Sequence, residues 1–198
     1  MANPSDTITT TGIRQRRPRA GERTRGAVDA LQTKIAVDLQ NLPAHSYKEA
    51  LQANIAELPD AAGNTVRLAD SGGKWRVVYF YPKDSTPGCT TEGQDFRDAK
   101  AKFSRQNTVI LGVSRDSMKR HENFKAKQNF PFDLLSDSDE ALCRQFDVIH
   151  EKNMYGRKVM GVVRSTFLID ADGVLRQEWR KVRVKGHVDE VLEAARSL

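Results

Sequence analysis

Residues 75–92, WRVVYFYPKDSTPGCTTE, carry the strongest structural signal in this 198-residue chain. The segment Trp75–Tyr81 is mostly apolar and rich in β-branched and aromatic residues, which predicts a buried strand. The stretch from Pro82 to Gly88 predicts a loop, because it concentrates proline, glycine, serine and aspartate. Cys89 therefore follows a strand and a short loop, where we expect a helix to begin.

This position suits a reactive thiol. The thiolate is the nucleophilic form of cysteine, and the positive end of a helix dipole favours it. Pro87 and Gly88 allow the backbone to come close, so that peptide N–H groups can face the sulfur or a bound oxygen. Thr86 adds a hydroxyl that can donate to a bound oxygen. An inert buried thiol is the other interpretation of Cys89.

Apolar runs on the C-terminal side of Cys89 predict two more buried strands, at Val109–Val113 and Phe167–Ile169. The turn at Asp170–Gly173 predicts a hairpin into a strand at 174–179. Apolar residues at helical spacing predict the intervening and final helices: one with Phe96, Ala99 and Phe103, one from a Ser117 cap to about Gln128, one capped by Asp137 with Leu142 and Phe146, and one ending at Leu198.

Strands that alternate with helices, followed by a hairpin and a last helix, predict an α/β three-layer sandwich. Arg164 stands in the apolar run Val162–Ile169, which has the character of a strand. A charge in such a run needs a reason. Either Arg164 reaches the Cys89 sulfur as a fixed positive charge, or it forms a surface salt bridge on an edge strand.

The N-terminal part of the chain differs from the rest in composition and in the spacing of its apolar residues. Residues 1–27 are rich in arginine and threonine without periodicity, which predicts a disordered basic tail; a faint similarity to an organelle transit peptide is the alternative. Residues 28–57 carry apolar residues at helical spacing and are expected to form a helical N-terminal extension. The main domain is expected to span residues 58–198.

Charge and composition exclude several classes of protein. The net charge is +6, of which residues 1–27 supply +4, so the main domain is nearly neutral and its charge does not support nucleic-acid binding. No run approaches 18 apolar residues, so we expect no membrane span. Two cysteines are typical of a reduced compartment, and we expect a cytoplasmic protein.

Two segments resemble a known family. Pro82, Thr86 and Cys89 fit the pattern P-x-x-x-T-x-x-C, and Arg164 begins the segment RSTFLID. Over roughly residues 56–197 the chain resembles the peroxiredoxins, and most closely the bacterioferritin-comigratory (peroxiredoxin Q) subfamily. The resemblance implies a thioredoxin-like fold with a mixed central sheet and a thiol-dependent peroxidase that reduces hydrogen peroxide and organic hydroperoxides.

The resemblance also implies residue roles. Cys89 is expected to attack the peroxide and become a sulfenic acid. Thr86 and Arg164 are expected to orient the peroxide and stabilise the departing oxygen, and Pro82 to shield the thiolate from water. Glu92 is expected to support the arginine; a plain first-turn helix charge is the alternative.

The chain departs from the subfamily at two places. Many members carry a resolving cysteine five residues after the peroxidatic one, where this chain has Gln94. The only other thiol is Cys143, which is either a buried structural cysteine or a resolving thiol. A one-cysteine cycle is therefore expected. The usual Ala-Pro-Asp-Phe-like entry to the domain is also replaced, by Ala-Asn-Ile-Ala-Glu-Leu at residues 53–58.

No cofactor is expected, because the chain has no phosphate loop, dinucleotide fingerprint or Cys-x-x-Cys pair, and its four histidines lack metal-ligand spacing. The expected partners are a hydroperoxide and an external thiol reductant (thioredoxin, glutaredoxin or a small thiol), with the chain a monomer or weak homodimer. Two alternatives are a non-catalytic redox sensor or client-holding protein, and a nucleic-acid binder that uses the arginine tail.

Overall fold

The computed structural model describes residues 57–68, 73–154 and 156–198. Its helices are α1 Pro87–Arg105, α2 Met118–Gln128, α3 Ala141–Gln145 and α4 His187–Ser197. Its strands are β1 Glu57–Pro59, β2 Thr65–Arg67, β3 Trp75–Phe80, β4 Thr108–Ser114, β5 Asp133–Ser136, β6 Ile149–Met154, β7 Arg157–Val162, β8 Ser165–Ile169 and β9 Leu175–Arg180. No helix among these residues is both long and apolar enough to cross a bilayer.

A mixed five-stranded sheet, in the order β5-β4-β3-β8-β9, forms the centre of the domain. Strands β3, β4 and β5 are parallel, whereas β8 is antiparallel to both β3 and β9. The parallel pairs are joined through α1 and α2, and right-handed crossovers place both helices on one face of the sheet. Strands β1 with β2, and β6 with β7, form two separate antiparallel pairs.

Alternate residues of β3 pack into two different cores. Val77, Tyr79 and the following Tyr81 face one cluster, which also holds buried side chains of α1, α2 and α4: Phe96, Phe103, Phe124 and Val191. Val78 and Phe80 face the other cluster, with side chains from α3 and the N-terminal strands: Leu142, Cys143 and Leu58. Burial on both faces explains the continuous apolar run in β3. The predicted three-layer α/β sandwich is confirmed.

The predicted hairpin turn after β8 is also present. The Asp170 carboxylate accepts hydrogen bonds from the backbone N–H groups of Asp172, at 3.0 Å, and Val174, at 2.8 Å. Gly173 has φ +82°, a left-handed conformation that glycine adopts at little cost. The turn therefore returns the chain into β9 beside β8.

Two predicted helix caps have different outcomes. Ser117 precedes α2, but its side chain makes no capping hydrogen bond. The carboxylate of Asp137 does cap α3, since it accepts from the N–H groups of Leu142, at 3.0 Å, and Cys143, at 2.6 Å.

Several elements were not predicted from the sequence, namely β1, β2, β5 and the β6–β7 hairpin. The predicted tail at 1–27 lies outside the described residues, and so does the predicted helical extension at 28–57 except for its last residue. That residue, Glu57, is the first residue of β1 and is not helical.

Candidate active site

Cys89 lies in the first turn of α1, directly beyond the carboxyl end of β3. Pro87 opens the helix, where its missing N–H costs no hydrogen bond. The carbonyl of Thr86 accepts the first helical bond, from the N–H of Thr90 at 2.9 Å. The Cys89 side chain is almost fully buried, with 3% of its surface exposed. The sulfur is therefore shielded from solvent at the N-terminal end of the helix, where the dipole is positive.

Two glycines of α1 lie beside neighbouring groups, and at one of them glycine is required. A Cβ at Gly93 would lie 2.4 Å from the Phe130 ring, so only glycine lets α1 pack at this distance. A Cβ at Gly88 would lie 3.4 Å from Nη2 of Arg164. The helix start is therefore in close contact with both the aromatic core and the arginine.

Arg164 contacts the cysteine directly. Its Nη2 donates a hydrogen bond to Sγ of Cys89 at 3.2 Å, and its backbone carbonyl accepts from the N–H of Val182 at 3.0 Å. Arg164 was expected inside one continuous strand, and this expectation was wrong. Strand β7 ends at Val162 and β8 begins at Ser165, so Arg164 occupies the link between two different sheets. At this link its side chain can turn towards α1 without breaking a strand's alternation of faces.

Glu92, one turn after Cys89, is the second partner of this guanidinium. The Glu92 side chain has no exposed surface, and its Oε2 accepts from Nη1 of Arg164. Its Oε1 is buried without a hydrogen-bond partner. Burial raises the pKa of Glu92 to about 7, although Arg164 opposes this rise. Burial lowers the pKa of Arg164, but Glu92 and Cys89 outweigh this effect and the pKa is raised overall.

Thr86 and Pro82 lie in the loop between β3 and α1, and both are partly buried. The Thr86 hydroxyl donates to the carbonyl of Lys83 at 3.0 Å. We expected this hydroxyl to donate to a substrate; with its proton engaged in this way, its lone pairs remain to accept. Pro82 lines an open cavity of about 350 Å³, whose walls also include Lys83, Arg115, Asp116, Ser138 and Glu140.

Cys143 is not part of this constellation. Both cysteines are free thiols, and the structure places them in the two hydrophobic clusters on opposite faces of the sheet. The Cys143 side chain has no exposed surface. Burial, and then the neighbouring Asp137, raise the pKa of Cys143 far above its ordinary value. Its thiol is therefore protonated and sequestered in the native fold.

Sequence reasoning missed Lys152, on β6. Its Nζ donates to the carbonyl of Val162, two residues before Arg164. Burial lowers the pKa of Lys152, as do the charges of Arg164 and Arg115, whereas Cys89 raises it. The residue adds positive charge near the sulfur. No signal in the sequence distinguishes it from the other lysines, because its placement depends on the unpredicted β6–β7 hairpin.

His187, at the start of α4, is a buried polar neighbour of the site. Its Nε2 lies 2.7 Å from Oγ1 of Thr166. Burial lowers the pKa of His187 to about 4, and the charge of Arg164 adds to this effect. The imidazole is therefore neutral at pH 7. Among the described residues, no group of three or more His, Cys, Asp or Glu side chains is arranged to hold a metal ion.

Comparisons with known proteins agree on one family. Residues 50–178 match the model of the AhpC/TSA family. The chain is 58% identical over 137 residues to peroxiredoxin Bcp of Xanthomonas campestris, a match that covers 69% of this chain and 86% of that protein. It is 51% identical over 142 residues to peroxiredoxin Bcp of Bacillus subtilis, covering 72% of this chain and 90% of that protein.

Solved structures show the same likeness. The bacterioferritin comigratory protein of Xanthomonas campestris, studied for its alkyl peroxide reduction activity, superposes with a TM-score of 0.69 at 52% identity, covering 79% of this chain and 96% of that one. Peroxidoxin BcpB of Mycobacterium tuberculosis superposes with a TM-score of 0.66 at 31% identity, covering 73% of this chain and 94% of that one.

Proposed function

The chain belongs to the AhpC/TSA family, as a thiol-dependent peroxidase of the bacterioferritin-comigratory group, and on this premise we propose that Cys89 is its attacking thiolate in a one-cysteine cycle. The observation that carries the proposal is the hydrogen bond from Arg164 Nη2 to Cys89 Sγ, at 3.2 Å. A positive charge in contact with a buried sulfur favours its ionised form.

The first half-reaction consumes the hydroperoxide. The Cys89 thiolate attacks the oxygen of the peroxide that bears the proton, so that an S–O bond forms as the O–O bond breaks. Sulfur loses two electrons and becomes a sulfenic acid. The departing oxygen leaves with the electron pair and takes up a proton from solvent, which yields water or an alcohol.

Arg164 has two tasks in this step. Its Nη2 stabilises the thiolate before attack and the charge that passes to the peroxide oxygens during it. Its Nη1 is bound to the buried Glu92, which fixes the plane of the guanidinium. Thr86 accepts a hydrogen bond from the protonated peroxide oxygen, since its own proton is engaged with the Lys83 carbonyl. To Pro82 we assign the shielding of the thiolate from water.

The second half-reaction regenerates the thiol. An external thiol attacks the sulfenic sulfur, which releases water and leaves a mixed disulfide between that thiol and Cys89. A second external thiol then attacks the mixed disulfide, which frees Cys89 as a thiol and joins the two external thiols in a disulfide. Two observations support an external thiol. Gln94 occupies the position of a local resolving cysteine and bonds to Gln128 at 2.9 Å. Cys143 packs in the cluster across the sheet from Cys89.

The proposal extends to the substrate, the reductant, the oligomeric state and the location of the protein. The substrate is a hydroperoxide and the reductant a thiol; we propose thioredoxin, glutaredoxin or a small thiol for this role, and a chain that works as a monomer or weak homodimer. The sparse cysteine content supports a reducing compartment, and we propose the cytoplasm. A non-catalytic sensor or client-holding protein leaves the ion pair at Cys89 unexplained.

Peroxide consumption by wild type, Cys89→Ser and Cys143→Ser, each with excess dithiothreitol, tests the proposal. We expect Cys89→Ser to be inactive, because a serine hydroxyl is not ionised near pH 7, and Cys143→Ser to keep most of its activity. Circular dichroism of both variants checks that the fold is retained. Turnover at the wild-type rate in Cys89→Ser would refute the assignment of the nucleophile.

A further inference from the structure

The loop that carries the chain from β3 to Cys89 is fastened through one buried carboxylate, that of Asp84. This residue is 3% exposed. Its Oδ1 accepts from the hydroxyl of Tyr81 at 2.7 Å, and its Oδ2 lies 2.9 Å from Nδ1 of His121. Its backbone N–H donates to Oδ2 of Asp116 at 2.7 Å. Asp84 is therefore bound at three atoms.

His121, on α2, is fully buried and faces acceptors on both sides. Its Nδ1 faces the Asp84 carboxylate, and its Nε2 lies 3.2 Å from the carbonyl of Leu135 on β5. Each ring nitrogen therefore lies within hydrogen-bonding distance of a buried oxygen. A buried carboxylate needs such a partner, since an unpaired one is costly. The residues therefore form a complete hydrogen-bonded unit below the catalytic loop.

The far side of the unit is also fixed. Asp116, which accepts from the Asp84 N–H, accepts from the Ser114 hydroxyl at 2.9 Å and is paired with Arg120 at 2.7 Å. Asp84 is thus tied to β3, to the segment after β4 and to α2. The carbonyl one residue before it, that of Lys83, accepts the Thr86 hydroxyl bond. Movement of Asp84 would displace Thr86 and the first turn of α1.

From this arrangement we propose that Asp84 is a positioning residue for the peroxide step, and that Tyr81 and His121 hold it in place. It holds the loop so that Thr86 and Cys89 meet Arg164 in the geometry needed for attack. The inference rests on the proposed function of Cys89. Asp84 itself has no contact with the sulfur in the described structure, so its effect passes through the loop.

The proposal predicts opposite requirements for the two half-reactions. Attack on peroxide needs the closed loop, because Arg164 must contact the sulfur. Attack by an external thiol on the sulfenic acid needs the loop to open, because Cys89 is almost fully buried. Loosening Asp84 should therefore slow oxidation by peroxide without slowing reduction by thiol. General destabilisation of the fold gives no such split.

Three variants test the proposal by stopped-flow measurement of both half-reactions. Asp84→Ala removes the acceptors of Tyr81 and His121, and we expect oxidation to slow about tenfold or more. Tyr81→Phe removes one hydroxyl, keeps the packing and is expected to slow oxidation about threefold; it carries the test if Asp84→Ala does not fold. In Asp84→Asn the amide oxygen can still accept from Tyr81 and the amide nitrogen can pair with Nδ1 of His121, so we expect near-wild-type oxidation.

Phe103→Leu is the matched control, because it disturbs the same helix about 20 Å from Cys89. The proposal is overturned if folded Asp84→Ala and Tyr81→Phe oxidise at the wild-type rate. It is also overturned if Asp84→Asn is as slow as Asp84→Ala, if Phe103→Leu slows oxidation equally, or if thiol reduction slows in parallel. Cys89→Ser separates the two ideas: peroxide turnover in that variant refutes the proposed function, whereas wild-type oxidation in Asp84→Ala and Tyr81→Phe refutes only this inference.

Discussion

Arg164 and Cys89 are joined by a hydrogen bond of 3.2 Å although 74 residues separate them along the chain. The other terminal guanidinium nitrogen, Nη1, binds Glu92, one helical turn after the cysteine. One planar side chain therefore bridges two residues of α1, so charge, distance and orientation at the sulfur depend on each other.

Replacement of Arg164 should remove its contacts with both Cys89 and Glu92. We expect Arg164→Ala to lower the second-order rate of peroxide reduction about 100-fold, because a fixed donor at the reacting atoms is lost. Arg164→Lys should recover only part of the rate, since an ammonium cannot bridge Cys89 and Glu92 as a guanidinium does. Stopped-flow oxidation of pre-reduced protein measures both. A rate for Arg164→Ala within about twofold of wild type would show that the contact has no catalytic role.

Glu92 makes stability depend on pH. Its pKa is about 7 in the folded protein, against an ordinary value of 4.5. Between these values the folded state holds a proton that the unfolded state has lost, so the contribution of Glu92 to the free energy of unfolding should fall as pH rises, by about 3 kcal/mol. Glu92→Gln should abolish this fall. Urea unfolding from pH 4.5 to 7.5 measures it, with the exposed Glu190→Gln as control; an unchanged slope in Glu92→Gln contradicts the prediction.

His187 should make stability depend on pH in the opposite direction, so that its contribution rises as pH rises. Its folded pKa is about 4, against an ordinary 6.5, so the unfolded state binds a proton that the folded state does not. Its contribution to stability is present above about pH 6.5 and is lost towards pH 4, again by about 3 kcal/mol. His187→Gln should remove this loss and expose the opposing slope of Glu92. The exposed His150→Gln is the control, and equal pH profiles for the two variants would disprove the assignment.

Cys143 should remain reduced while Cys89 cycles. After one equivalent of peroxide, we expect a sulfenic acid at Cys89 that dimedone traps, because the sheet keeps the two thiols apart. Mass spectrometry of non-reduced peptides detects it, and Cys143→Ser should give the same adduct in the same yield. A dominant Cys89–Cys143 cross-linked peptide would replace the one-cysteine cycle with a two-cysteine one and leave the peroxidase intact.

The path from β3 to α1 was predictable from the sequence, because it rests on local signals. A strand buried on both faces is continuously apolar, and Pro87 and Gly88 mark the transition to a helix. Cys89 could therefore be placed at a helix start before its partners were known.

The setting of Arg164 could not be predicted in this way. Two valines precede it, and Ser165 and Thr166 lead directly into the apolar residues of β8, so no glycine or proline marks the change from β7 to β8. Strand β5 has only four residues and follows a proline and a phenylalanine, so the sequence shows no clear alternation of apolar and polar residues there. Asp84 looked like one more turn residue, because its partner His121 lies 37 positions away and the contact depends on tertiary packing.

The separation of the two thiols by the sheet also determines how the protein fails. A chain that closes its own disulfide has an internal brake on over-oxidation, whereas in the proposed one-cysteine cycle the lifetime of the sulfenic acid is set by the surrounding thiol. Each catalytic cycle is a competition between a thiol molecule and a second peroxide for the same sulfur. The number of turnovers before irreversible loss should therefore follow the ratio of thiol to peroxide concentration, which makes the fraction of over-oxidised chains a record of that ratio over time.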